Sequence, residues 1–236
     1  HALDPAQVSR LRVAIAASLR EGVHGLLLSG TPGMFSAGLD VPALLQLDRA
    51  GMQAFWIEFF TLCADLARSP VPVAAAITGH SPAGGAVLAI MCDYRVMARS
   101  TDPAKPFRIG LNEVQVGLSV PDCIQAALRR LLGAYAAERL MVSGTMLESA
   151  EARATGLVDE IAEVEAVVPR ALEWLRGLLA LPARAMRETR RTARADLAAI
   201  FADPASFRVE EFVDGWFAPD TQAVLHALVA RLRSKA

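Results

Sequence analysis

From Ser69 to Cys92 the chain carries no formally charged residue, and what that stretch can become constrains the whole fold. It is long enough to span a bilayer as a helix. Yet Pro70, Pro72, Pro82, Gly79, Gly84 and Gly85 interrupt it, with Thr78, His80 and Ser81 in its middle. A lipid-exposed helix could not satisfy the backbone groups around those breaks. The segment therefore reads as a buried strand over 71–77, a tight turn, and a buried helix over 84–91. No secretory signal is read ahead of it.

The flanking sequence alternates in the same way. Asp4-Pro5 pairs an N-cap acceptor with proline at the first helical position. Val8, Leu11, Ile15 and Leu19 follow at helical spacing, and Gly22 is placed to end that helix. Residues 23–28 read as a second buried strand and 30–40 as a glycine-punctuated loop. Residues 51–68 read as a helix turning Phe55, Trp56, Phe59, Phe60 and Leu66 inward. Short strands are expected at 94–98 and 107–111, and almost everything from Pro121 onward reads as helical. The order implies an α/β core followed by helices, with the core over 1–162 and the helical part over 163–236. Apolar positions in the latter (Leu172, Trp174, Leu175, Leu178, Phe212, Trp216, Leu225 and Leu228) exceed what a lone helical tail could cover, which points to a subunit interface.

Composition removes whole classes of function. Hydrophobic residues make up 53% and charged ones 21%, enough for a real core. The formal net charge of −1 leaves no basic surplus for nucleic acid or an anionic membrane. Cys63, Cys92 and Cys123 are far apart with no C-x-x-C pair, so neither a metal site nor a disulfide framework is expected, and a reducing compartment is. His1, His24, His80 and His226 include no pair at metal-ligand spacing on one helix face. Abundant alanine, with Lys105 and Lys235 as the lysines, is the usage of a GC-rich bacterial genome. A bacterial cytoplasmic enzyme is the corresponding expectation.

Three glycine-containing turns then compete for function. Gly79-His80-Ser81 resembles the nucleophile elbow of serine hydrolases, and His226 with Asp214 or Asp220 follows in the right order. But the residue after the serine is Pro82, which has no N–H to hold an oxyanion. The 33–38 loop has phosphate-loop spacing, yet Leu39-Asp40 stands where lysine and a hydroxyl residue belong. No dinucleotide-binding G-x-G-x-x-G follows a strand. What remains is a pair of loops, Phe35-Ser36-Ala37-Gly38-Leu39-Asp40 and Ser81-Pro82-Ala83-Gly84-Gly85. Each follows a buried strand, and the second opens a helix whose first N–H groups are unpaired. Two such N–H groups converging on one carbonyl oxygen make an oxyanion hole; ordinary tight turns are the other reading.

The strings FSAGLD, PVPVAAAITGHSPAGGAVLAIMCDYRVMA, RIGLNEVQVGL and GTMLESAEARATGLVDEI, in that order, resemble the crotonase (enoyl-CoA hydratase/isomerase) superfamily over nearly the whole chain. The resemblance implies a spiral of ββα units, a C-terminal helical oligomerisation region and a homotrimer or homohexamer. It also implies an acyl-CoA substrate whose CoA is no separate cofactor, and no metal. It assigns the oxyanion N–H groups to Leu39 and Gly84. Ser36, Ala37, Gly38, Pro82, Ala83, Gly85, Val87 and Leu118 become substrate-binding positions. Hydratases of this family carry two glutamates; the first maps onto Val87, which cannot exchange a proton, and the second onto Glu113, which is present. PAGG, CDYR and GLNE-x-Q are further similar to mitochondrial-type Δ3,Δ2-enoyl-CoA isomerases. That implies a 1,3-proton shift by Glu113 alone. A dehalogenase-like branch places a nucleophilic aspartate one position from Asp122, and a non-catalytic acyl-CoA-binding protein would keep the same fold. The family's β-hairpin ahead of the His1-Ala2-Leu3 segment, which helps wall the CoA site, is not among these residues.

Overall fold

The computed structural model describes residues 1–234. Asp4 accepts the Gln7 N–H at 2.6 Å and opens α1 (Pro5–Arg20), as the Asp-Pro pair requires. The chain continues through β1 (Leu26–Ser29), β2 (Gly33–Met34), α2 (Val41–Leu44), α3 (Arg49–Ala67), β3 (Val73–Ile77), β4 (Gly79–Pro82), α4 (Gly84–Ile90), β5 (Tyr94–Arg99) and β6 (Arg108–Gly110). After a 3₁₀ turn at Glu113–Val116 come α5 (Asp122–Leu132), α6 (Ala134–Ser143), β7 (Leu147–Glu148), α7 (Ser149–Thr155) and β8 (Glu160–Glu163). The helices α8 (Val167–Leu179), α9 (Ala183–Ala193), α10 (Ala195–Ile200), α11 (Val209–Trp216) and α12 (Pro219–Arg233) close the described chain.

The eight strands divide equally between two sheets. The first has the order β1-β3-β5-β8 and is wholly parallel, with Leu27 beside Ala74, Ala75 beside Arg95 and Val96 beside Glu160. The second has the order β2-β4-β6-β7, parallel except where β7 runs against β6. β1, β3 and β5 each pass to a strand of the second sheet and then to helix, which builds the expected ββα spiral. Alternation along β3 feeds two cores. Val73, Ala75 and Ile77 join the main cluster, while Ala74 and Ala76 meet Val167, Ala171 and Leu175 of α8. With both faces covered, the strand is apolar at every position.

Several expectations change. Residues 79–82, expected as a tight turn, form β4. There β2 comes so close that a Cβ on Gly79 would lie 1.9 Å from the carbonyl carbon of Gly33, so the glycine permits strand pairing. The stretch after Pro121 holds β7 and β8 as well as helices. In β8 only Ile161 and Ala162 are apolar between Glu160 and Glu163, too short a pattern to stand out, and pairing with β5 supplies the order. The 23–28 strand begins at Leu26, and the 51–68 helix at Arg49, where Asp48 accepts the Gly51 N–H at 2.7 Å.

The C-terminal helices do find partner surface in their own chain. Leu175, Trp216 and Leu225 are buried, and Leu172, Trp174, Leu178, Phe212 and Leu228 are half-buried, which corrects the premise that a lone tail could not cover them. The main cluster joins Leu197, Phe201 and Trp216 to Phe60 and Ile124, so it runs through both 1–162 and 163–236. Arg190 of α9 donates twice to Asp93, at 2.9 and 2.8 Å, and once to the carbonyl of Ser69 at 2.7 Å. Among the described residues no helix is long and apolar enough to cross a membrane.

Candidate active site

Glu113 opens the 3₁₀ turn that follows β6. The turn is held from several sides: Leu118 N–H donates to the Glu113 carbonyl at 3.1 Å, and Gln115 reaches the Gly144 carbonyl at 2.9 Å. Thr221 of α12 donates to the Gly117 carbonyl at 2.9 Å. So fixed, the Glu113 side chain is buried, and its Oε2 has no hydrogen-bond partner. Burial disfavours the charged form and pushes its pKa from an ordinary 4.5 up to about 7, against a weaker opposing hydrogen bond from its own backbone. A carboxyl of that pKa can take up and release a proton near neutrality.

The two glycine loops lie against each other. Gly38 has φ +77, a left-handed conformation that favours glycine, and a Cβ there would sit 3.1 Å from the Pro82 carbonyl oxygen and 3.8 Å from the Gly84 nitrogen. The first loop is pinned by the N-terminal segment: Leu3 N–H donates to the Gly38 carbonyl at 2.8 Å, and Asp40 N–H to the Leu3 carbonyl at 3.2 Å. Inside it, the Ser36 hydroxyl accepts the Gly38 N–H at 3.2 Å and donates to the His1 carbonyl at 3.0 Å. In the second loop Ala83 takes φ +44, ψ −114, which an L-residue rarely adopts. Gly84 then starts α4, where a Cβ would come within 2.9 Å of the Leu3 side chain. Among the described residues neither the Leu39 nor the Gly84 N–H is donated to a protein acceptor.

These pieces share one narrow, nearly closed cleft with about 20 Å³ of free volume. Of the residues expected from sequence, Leu39, Gly84, Val87, Glu113 and Leu118 line it. Glu113 is the one ionisable side chain among its lining residues. Ser36, Ala37, Gly38, Pro82, Ala83 and Gly85 do not line it; they shape the two loops behind it, Gly85 with no room for a Cβ, which would lie 2.8 Å from that of Ser36. Trp56, Phe59, Ile124 and Phe212 also line the cleft and were not expected there. In sequence they are indistinguishable from core, because the same helical period serves both.

The competing nucleophiles lie elsewhere. Asp122 is exposed, pairs with Arg208 at 2.8 Å and does not line the cleft, which removes the geometric basis of the aspartate branch. Ser81 is buried within β4, and His226 is exposed on α12.

The fold and the cleft define a crotonase-type protein. The chain belongs to the enoyl-CoA hydratase/isomerase family, whose model matches residues 2–215. It is 31% identical over 210 residues to the human mitochondrial enoyl-CoA delta isomerase 1, covering 89% of this chain and 68% of that protein. A probable enoyl-CoA hydratase of Mycobacterium avium is 33% identical over 205 residues, covering 86% of this chain and 76% of the relative. The crystal structure of human mitochondrial Δ3,Δ2-enoyl-CoA isomerase superposes with a TM-score of 0.91 at 29% identity, over 99% of this chain and 90% of that one.

Proposed function

We propose that this chain isomerises a 3-enoyl-CoA to a 2-enoyl-CoA by a one-base 1,3-proton shift. The observation carrying this reading is the buried carboxyl of Glu113, whose Oε2 has no hydrogen-bond partner, in a cleft where Val87 takes the place of a second acid. The thioester carbonyl accepts hydrogen bonds from the N–H groups of Leu39 and Gly84. Glu113, as carboxylate, removes a proton from C2. The C2–H electrons form the C1–C2 double bond of a dienolate, with negative charge on the thioester oxygen. Two N–H donors favour that charge, at about 3–4 kcal/mol per donor in comparable oxyanion holes. The charge then collapses, the C2–C3 double bond forms, and C4 takes the proton back from Glu113. No electrons are gained or lost overall, so the step calls on no redox group.

Hydration is the neighbouring chemistry, and relatives carry that name. Adding water across the conjugated bond calls for one group to position water and another to deliver a proton, and Val87 can do neither. The test is a paired assay. With hex-3-enoyl-CoA the conjugated product should accumulate, while crotonyl-CoA should gain water far more slowly. Efficient hydration of crotonyl-CoA would overturn the assignment.

A further inference from the structure

Resting on the isomerase reading, we propose that Ser36 is the positioning residue that aims the Leu39 N–H at the thioester oxygen. The two proposed oxyanion donors are held in different ways. The Gly84 N–H belongs to the peptide that opens α4, and main chain fixes that peptide's start. Ala83 N–H donates to the Gly110 carbonyl at 2.8 Å, and the Ala83 carbonyl accepts the Val87 N–H at 2.9 Å. No side chain caps this helix start. Leu39 instead precedes α2 and follows Gly38, a glycine at φ +77. The peptides on either side of such a glycine turn freely unless other groups hold them.

Both of those peptides are held. In a planar trans peptide the N–H points opposite to the carbonyl. The bond from Leu3 N–H to the Gly38 carbonyl, 2.8 Å long, therefore turns the Leu39 N–H the other way. The preceding peptide is fixed by Ser36, whose hydroxyl accepts the Gly38 N–H at 3.2 Å. The same hydroxyl donates to the His1 carbonyl at 3.0 Å, which also accepts the Ala37 N–H at 3.0 Å. Ser36 thus ties the loop to the segment that carries Leu3. Among the described residues it is the one side chain in this clamp, and the other bonds are main chain. Ser36 is 5% exposed and does not line the cleft, so it reaches the substrate only through Leu39.

The absorbance of bound hexa-2,4-dienoyl-CoA tests this without needing turnover. Hydrogen bonds to the thioester oxygen draw electrons along the conjugated chain and move its absorbance to longer wavelength. The unaltered protein should show that shift, and Ser36→Ala should lose about half of it, since one of two donors is misaimed. With hex-3-enoyl-CoA, Ser36→Ala should lower kcat about tenfold, a fraction of the loss on removing a donor outright. Hexanoyl-CoA affinity should stay within about twofold, as for an interaction that strengthens in the transition state. The pH midpoint of kcat/KM, set by Glu113 at about 7, should not move. Ser36→Cys keeps a weak donor and acceptor and should fall between the two proteins. It carries the test alone if the alanine variant does not fold. A full shift and full kcat in Ser36→Ala, or in Ser36→Cys where alanine does not fold, would overturn the proposal. So would no shift in the unaltered protein, or a loss of hexanoyl-CoA affinity as large as the loss of kcat, the mark of a merely structural role. Failure of the isomerase reading looks different: the shift would respond to Ser36 while hex-3-enoyl-CoA remained unconverted.

Discussion

Ala83 donates its N–H to the carbonyl of Gly110 at 2.8 Å, which bonds the loop opening α4 to the strand that leads into Glu113. The proposed oxyanion donor and the proposed base are therefore carried on one hydrogen-bonded frame. Ala83 also accepts the Val87 N–H at 2.9 Å, so the same residue starts the helix. It does this at positive φ, where its methyl group is strained.

Replacing that alanine with glycine separates stability from catalysis. Relief of a left-handed alanine is worth about 1–2 kcal/mol, and the greater unfolded-state freedom of glycine takes back about 0.4–1. Ala83→Gly should therefore unfold at equal or slightly higher urea concentration. Its looser backbone should aim the Gly84 N–H less well, lowering kcat about tenfold, a fraction of the loss on removing a donor outright. Unchanged kcat would show that the strain serves packing only.

The pKa of Glu113 sets two pH dependences. Turnover uses the carboxylate, so kcat/KM should fall as pH drops below about 7 and level off above it. Stability runs the other way. Between 4.5 and about 7 the folded chain holds a proton that the unfolded chain has released, so this group's contribution declines as pH rises through that window. At about 1.4 kcal/mol per pH unit the full decline is about 3 kcal/mol. Urea titrations should find Glu113→Gln close to the unaltered protein near pH 4 and more stable by up to about 3 kcal/mol near pH 8. A stability difference independent of pH would mean that the carboxyl is not raised.

How much of this could be read from the sequence depended on which physical signal each part leaves. The β3–α4 region was legible because proline and glycine break an uncharged run at positions where no membrane helix could tolerate them. The α1 cap was legible because Asp4 and Pro5 act locally. β4 was not, since Gly79 and Pro82 look like turn residues until β2 lies beside them. β8 was not, because its order comes from β5, far earlier in the chain. Of the site, the glycine pattern gave the two loops, and the resemblance gave Glu113 and, at Val87, the missing acid. Trp56 and Phe212 stayed hidden: an aromatic residue on an apolar helix face looks the same whether it meets core or a ligand cleft.

Assembly is a separate expectation. Tyr135 and Val142 on α6 are 72% and 75% exposed, and Leu181 is 50% exposed, so a single chain leaves apolar side chains in water. Light scattering should return a mass of three or six chains. A clean monomer at micromolar concentration would contradict it.

The central claim is that Glu113 alone carries the proton from C2 to C4. Glu113→Gln keeps the size of the side chain and removes the base, and Asp122→Asn changes the nearby carboxylate that Arg208 holds outside the cleft. The decisive measurement is kcat for hex-3-enoyl-CoA in both variants, with hexanoyl-CoA affinity measured alongside. Glu113→Gln should lose about 10²–10⁴-fold in kcat, the usual contribution of a positioned base, at little change in affinity. Asp122→Asn should turn over as the unaltered protein does. Full activity in Glu113→Gln, or its abolition in Asp122→Asn, would contradict the mechanism.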